Sequence, residues 1–305
     1  MNDSEPAVET VIHIADIHFW RIVRNPISLL NKRFLGNLTV LLRRRYDFDI
    51  AQAEPYADAV AEVAASAGAK TVLLTGDFVS TSSHEEFELA VRFVRGLRER
   101  GLEIRLVPGN HDVYTFESVR RKRFEHYFGE FLPPDGYPSV MRLPGGTPLI
   151  LAPTVRPRYF SARGHVTEKE VEQVGQLLTQ IEGQALVAGH YPLLHRTQAY
   201  VSNRWRQLQN AGKLRRVLGE SQKHILYAAG HVHAFSYERD PTYANLEHLT
   251  TGAFFKRDVR LGIAGEFTEI QIFMDRFEIY RHVYKQQWTT MPRIEAYVEK
   301  KEPPQ

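Results

Sequence analysis

The sequence predicts an α/β protein: a sandwich of two β-sheets with helices on its outer faces and a helical insertion after the first strand. Three observations carry this. Strand-like and helix-like segments alternate through the first two thirds of the chain, and a run of strands follows, which is the order expected of two packed layers of sheet. Five short apolar runs each stop at metal-binding side chains, as strands do when their carboxyl ends face a site. Near the end, residues 267–274 and 277–284 alternate polar and apolar around Asp275-Arg276, the pattern of an antiparallel hairpin.

The first run, residues 11–15, ends at Asp16-Ile17-His18. An insertion, residues 19–49, follows. Within it Ile27, Leu30, Phe34, Leu38, Leu41 and Leu42 recur at three- and four-residue spacing, a helical apolar stripe. Pro26 suits a helix start, and Gly36-Asn37 is expected to break the stretch into two short helices. From residue 17 to 46 the chain carries Arg21, Arg24, Lys32, Arg33, Arg43, Arg44 and Arg45 but no Asp or Glu, which points to an anionic partner. An apolar stripe edged with basic side chains suits a helix lying on an anionic membrane or closing over a lipid. It equally suits a cap packed on the protein's own core with solvated basic ends. Nucleic acid is a weaker match, because Phe19 and Trp20 are not joined by further spaced aromatics.

Next come an alanine-rich helix over 54–67 closed by Gly68 and a strand over 71–75 leading into Gly76-Asp77. Ser82 and Ser83 are candidate caps for a helix over 85–100, whose Arg92, Arg95, Arg98 and Arg100 read as a solvated face. A strand over 104–107 leads to Gly109-Asn110-His111-Asp112, and a single basic helix is expected over 116–128. Residues 133–148 read as an irregular loop, 149–152 as a strand, and 167–182 as a capped helix. The strand over 185–188 delivers Gly189-His190, a helix is expected over 203–218, and the strand over 224–229 delivers Gly230-His231-Val232-His233. The other histidines lie outside these tips and are expected to pack or face solvent, with His195 nearest the site.

One domain is expected over 1–305, closing with the hairpin and tail of 265–305; 43 % hydrophobic residues suffice for a sizeable core. Without cysteine, neither a disulfide framework nor a thiolate metal site can form. An acidic, polar start and no apolar run near the ~20 residues that cross a bilayer suggest a cytoplasmic protein, with peripheral contact on the inner membrane face through 19–49.

Taken in order, Asp-x-His, Gly-Asp, Gly-Asn-His-Asp, Gly-His and Gly-His-x-His resemble the calcineurin-like metallophosphoesterases. That resemblance implies a four-layer αββα sandwich of two mixed sheets and a centre of two divalent ions that activates water. Asp16, His18, Asp77 and His233 would hold one ion; Asp77 would bridge to a second held with Asn110, His190 and His231. His111 would contact phosphate oxygens and protonate the leaving group, with Asp112 orienting its ring. If extended backbone continues past the strands, Asp16 with His18 and His231 with His233 would share faces. Oxygen and imidazole donors suit Mn²⁺ first, or Fe or Zn²⁺.

The insertion, through Asn25-Pro26, Asn31-Lys32-Arg33, Gly36-Asn37-Leu38 and Arg43-Arg44-Arg45, resembles the chlamydial-type UDP-2,3-diacylglucosamine diphosphatases of lipid A biosynthesis. That implies a peripheral membrane enzyme cleaving a nucleotide–lipid pyrophosphate, with Asn110, His111, His195, Arg24 and Arg33 meeting the substrate. The better-known proteobacterial branch of that activity carries Arg where this chain has His111. A class III cyclic-nucleotide (cAMP) phosphodiesterase, a nuclease and a non-catalytic scaffold of the same fold are the alternatives.

Overall fold

Five strands must end at one place for the motifs to meet, and the sheet order achieves it. The computed structural model describes residues 6–23, 32–159, 161–197, 200 and 204–298. One six-stranded sheet contains β1 (Glu9–Ile14), β2 (Thr71–Leu74), β3 (Glu103–Leu106), β10 (Glu266–Ile272), β11 (Phe277–Tyr284) and β12 (Trp288–Thr290), in the order β12-β11-β10-β1-β2-β3. The other contains β4 (Ser139–Arg142), β5 (Pro148–Leu151), β6 (Ala185–Ala188), β7 (Ile225–Ala229), β8 (Ser236–Arg239) and β9 (Leu246–Thr250), in the order β4-β5-β6-β7-β9-β8. Both are mixed: β1, β2 and β3 run parallel beside antiparallel β10, and β5, β6, β7 and β9 run parallel between antiparallel β4 and β8.

Strand alternation sorts the core into layers. Val11, Leu73, Leu151, Leu186, Leu226 and Ile270 fill the space between the sheets. Ile12, Ile14, Val72 and Leu74 face outward against Tyr56 and Val60 of α3 (Ala53–Ala67) and Phe87 and Val94 of α4 (His84–Glu99). On the far side, Ile150, Val187 and Tyr227 meet Val174 of α7 (Glu168–Thr179) and Leu214 of α8 (Ala211–Glu220). This is the expected αββα sandwich.

Local chemistry explains most element boundaries. Gly68 ends α3 in the left-handed region at φ +69°, and Ser83 and Thr167 start α4 and α7 with capping boxes. Two expectations fail. Residues 116–128 are two helices, α5 (Phe116–Arg120) and α6 (Arg123–Phe128), because Lys122 adopts φ +48° between them. The 133–148 loop contains β4, which pairs with β5 and extends the second sheet.

The insertion differs most. Gly36-Asn37 does not break it: α1 (Arg33–Thr39) runs through a π-helical turn at Val40–Arg44 into α2 (Arg45–Asp47). Gly36 is required by packing, since a Cβ there would lie 2.8 Å from Thr81 Cγ2 and 3.0 Å from the Tyr114 hydroxyl. The helical stripe is also turned the other way from a core-packed cap. Arg33, Gly36, Asn37 and Val40 are buried, while Phe34, Leu35, Leu38 and Leu42 are 57, 56, 44 and 65 % exposed. The part of the stripe and basic edge at residues 24–31 lies outside the described residues.

Two strand-end loops interlock so closely that backbone packs on backbone. A Cβ on Gly76 would stand 2.4 Å from the Gly109 nitrogen, and one on Gly109 2.1 Å from the Asp77 nitrogen. Gly109→Ala is therefore expected to destabilise the protein by about 1–3 kcal/mol. Gly212→Ala, on a helix with open space at its Cβ, is expected to be neutral or stabilising by up to about 1 kcal/mol. Thermal unfolding of the two variants checks the difference.

Candidate metal centre

Beyond their strands the polar tips abandon extended geometry. Asp16, His18, Asp77, His231 and His233 all take positive φ, between 53° and 70°. The expectation that i and i+2 partners share an extended face is thus corrected. Each tip turns back in the left-handed region, which non-glycine residues rarely occupy outside sites that hold them there.

The turns are fastened within each sheet and, through His231 and Asp16, across the two. The Asp16 N–H donates to the Gly76 carbonyl (3.0 Å), the His231 N–H to Asp16 Oδ2 (2.8 Å), and the Gly230 N–H to the His190 carbonyl (3.0 Å). Asp112 is the clamp beneath them. Its carboxylate accepts N–H bonds from Gly109 (2.7 Å), Asp77 and Phe78 (2.9 Å each) and Val79 (3.2 Å). The expected orienting contact from Asp112 to the His111 ring is not made. That task falls to the Ser80 carbonyl, 2.7 Å from His111 Nδ1.

Two donor groups result. Asp16, His18, Asp77 and His233 form one, and Asp77, His190 and His231 the other; within each, the donor atoms lie within 4.8 Å of one another. Asp77 belongs to both, with Oδ2 3.6 Å from His18 Nε2 and Oδ1 3.5 Å from His190 Nε2. Asn110 Oδ1 completes the second group, 3.1 Å from His190 Nε2 and 2.9 Å from His231 Nδ1.

The tautomers are set from behind. His190 Nδ1 lies 2.7 Å from the Thr75 carbonyl and His231 Nε2 2.9 Å from the Arg206 carbonyl, so each ring donates backward and turns its other nitrogen toward Asn110. Burial drives the pKa of His18, His231 and His233 down, which keeps neutral imidazoles available as donors. Burial opposes the positive charge of His190 too, but Asp77 overrides it and holds the pKa at about 9, so this pocket favours a cation. Asp16 Oδ1 is a buried carboxylate oxygen without a hydrogen-bond partner, 3.5 Å from His233 Nε2. A divalent ion in each group would satisfy these donors, and the oxygen–imidazole set fits such ions.

The residues expected to meet substrate are distributed differently. His111 stands at the centre, its pKa lowered to about 3 by burial and by Arg44. Arg33 is not available to a ligand: its guanidinium donates to the Thr81 and Ser82 carbonyls, Thr115 Oγ1 and Glu117, and so pins the cap. His195 is exposed and stands behind Tyr200, whose ring lies 6.0 Å from that of His231. Arg24 lies outside the described residues.

Arg44 is the site residue that reading the sequence missed. It reaches inward to His18 Nδ1 (2.5 Å), Ser80 Oγ (2.8 Å) and His111 Nε2 (3.1 Å). The signal was present in the spacing of the buried positions 33, 37 and 40 with the half-buried 44, the face opposite the apolar stripe.

Known proteins share the fold that carries this site. Residues 9–235 match the family model described as calcineurin-like phosphoesterase. No curated protein matches the chain. A dimetal phosphatase from Danio rerio has a similar fold, with TM-score 0.65, 14 % identity, and coverage of 93 % of this chain and 98 % of that one. A purple acid phosphatase from yellow lupin follows at TM-score 0.58 and 11 % identity, covering 94 % of this chain and 54 % of that one. A 5'-nucleotidase from Candida albicans gives 0.51 and 14 %, covering 91 % and 51 %. This chain therefore spans about half the length of the last two.

Because Asp77 serves both donor groups and His190 only one, the two substitutions are expected to differ in metal content. After equilibration with Mn²⁺ and desalting, elemental analysis should find close to two ions in the native protein, about one in His190→Ala, and fewer than one in Asp77→Ala.

Proposed function

This chain belongs to the calcineurin-like phosphoesterase family, a family of two-metal hydrolases, and on that premise we propose that it cleaves the phosphoanhydride of a nucleotide-linked lipid. The most specific form of the proposal is a UDP-2,3-diacylglucosamine diphosphatase of lipid A biosynthesis.

The observation that carries the lipid part is the inverted cap. A helix meant only to cover a site buries its apolar side; this one buries its polar side and turns Phe34, Leu35, Leu38 and Leu42 outward. Polar contacts hold it in place: Asn37 Oδ1 accepts from the Val23 N–H (2.9 Å), and Lys32 Nζ donates to the Arg158 and Ser161 carbonyls (3.2 Å each). A second exposed apolar tip adjoins it. The Arg257 N–H donates to the Asp47 carbonyl at the cap's end, and Val259 and Leu261 beyond it are 92 and 57 % exposed. Exposed Arg43, Arg45, Arg257 and Arg260 edge this surface. Apolar side chains rimmed by arginine suit acyl chains and anionic headgroups, and a small soluble nucleotide has no use for them.

The same cap reaches the metal centre through Arg44, so a substrate lying along it can place its phosphates at the donor groups. A pair of divalent ions held there by Asp16, His18, Asp77, Asn110, His190, His231 and His233 would supply Lewis-acid activation of water and neutralise charge on the phosphoryl oxygens. His111, its Nδ1 donating to the Ser80 carbonyl, holds a bare Nε2 beside Arg44; a bound phosphate anion would raise its lowered pKa, so that Nε2 would take up a proton and pass it to the leaving oxygen. Asp112 keeps the Asp77 and Gly109 loops in register beneath it.

With Mn²⁺ present, UDP-2,3-diacylglucosamine is expected to be hydrolysed with a higher kcat/KM than cAMP. Phe34→Gln with Leu38→Gln is expected to reduce that preference by about tenfold or more, given the apolar contact removed. Steady-state kinetics on both substrates checks this; a preference for cAMP that the double substitution leaves unmoved contradicts the lipid reading.

A further inference from the structure

We propose that Arg44 is a catalytic arginine that grips the reacting phosphoryl group, delivered to the metal centre by the cap rather than by a strand end. The inference depends on the phosphoester chemistry of the family and not on the lipid reading of the substrate.

Arg44 has a charge problem in its present surroundings. Its guanidinium is half-buried, and its hydrogen-bond partners are neutral, two imidazoles and a serine hydroxyl, while the Asp77, Glu86 and Asp16 carboxylates act on it only from farther away. Among the described residues no carboxylate lies within ion-pair distance of it, whereas the neighbouring cap arginine Arg33 has Glu117 at 3.0 Å. A guanidinium withdrawn from water is stable when an anion meets it.

The placement answers what the anion is. Nη1 touches His18 of the first donor group, while Nη2 touches His111, next to Asn110 of the second. The guanidinium therefore stands between a member of the first group and His111, and its planar fork matches two oxygens of a tetrahedral phosphoryl. The Phe48 ring lies 5.8 Å below Arg44 and 5.1 Å from the His18 ring, a wall that keeps the group aimed inward. The π-helical turn at Val40–Arg44 ends at this residue, as such turns do at functional positions.

The test is calorimetric binding of inorganic phosphate to the Mn²⁺-loaded protein. Arg44→Ala and Arg44→Gln are expected to bind phosphate about 10- to 100-fold more weakly, the scale of losing a charge-assisted contact. Both variants should keep the native melting temperature and manganese content. Guanidinium ion added to Arg44→Ala should restore a measurable part of the phosphate affinity, which an arginine serving only to hold the cap would not allow. The proposal is overturned if the native protein binds no phosphate. It is equally overturned if both variants bind phosphate within twofold of the native value, or if excess Mn²⁺ rather than guanidinium repairs the loss. None of these outcomes depends on whether an acylated substrate is turned over.

Discussion

A single buried carboxylate, Asp77, sits between His18 from its own sheet and His190, His231 and His233 from the other, and the geometry of the site depends on holding it there. Burial works against its charge, and His190 beside it holds its pKa well below the usual carboxylate range all the same. The backbone at Asp77 is left-handed, and four N–H groups converge on Asp112 to keep the surrounding loops in that shape. At Asp77 that strain is thus balanced by a hydrogen-bonded clamp that does not touch the His111 ring. The glycines preceding Asp77 and Asn110 belong to the same device, since any side chain there would push the loops apart.

The cap adds a second principle. Ordinary amphipathic helices bury apolar residues to gain stability, but α1 and its continuation anchor through Arg33, Asn37 and Lys32. Stability is taken from hydrogen bonds and ion pairs, and the apolar side chains remain outside. One helix therefore links a polar event at the metals to an apolar surface, with Arg44 at one end of that link and Phe34, Leu38 and Leu42 at the other.

Much of this was legible in the sequence. Asp16, His18, Asp77, Asn110, His190, His231 and His233 announce themselves because each follows an apolar run that can only be a buried strand, and parallel strands bring such ends together. What was not legible depends on contacts between distant segments. The split between α5 and α6 rests on the φ of one lysine, and β4 exists because β5 offers it an edge. Asp112 stands beside His111 in sequence, yet its bonds go to residues 77–79 and to Gly109. Arg33 and Arg44 looked alike within a basic stretch, and only packing against Thr81 on one side and His111 on the other separates their roles.

Anomalous scattering from a crystal grown with Mn²⁺ tests the central claim most directly. Two peaks about 3.5–4 Å apart are expected, one among Asp16, His18 and His233, the other among Asn110, His190 and His231, with an Asp77 oxygen at each. A single peak, or two that leave Asp77 uncoordinated, would contradict the account.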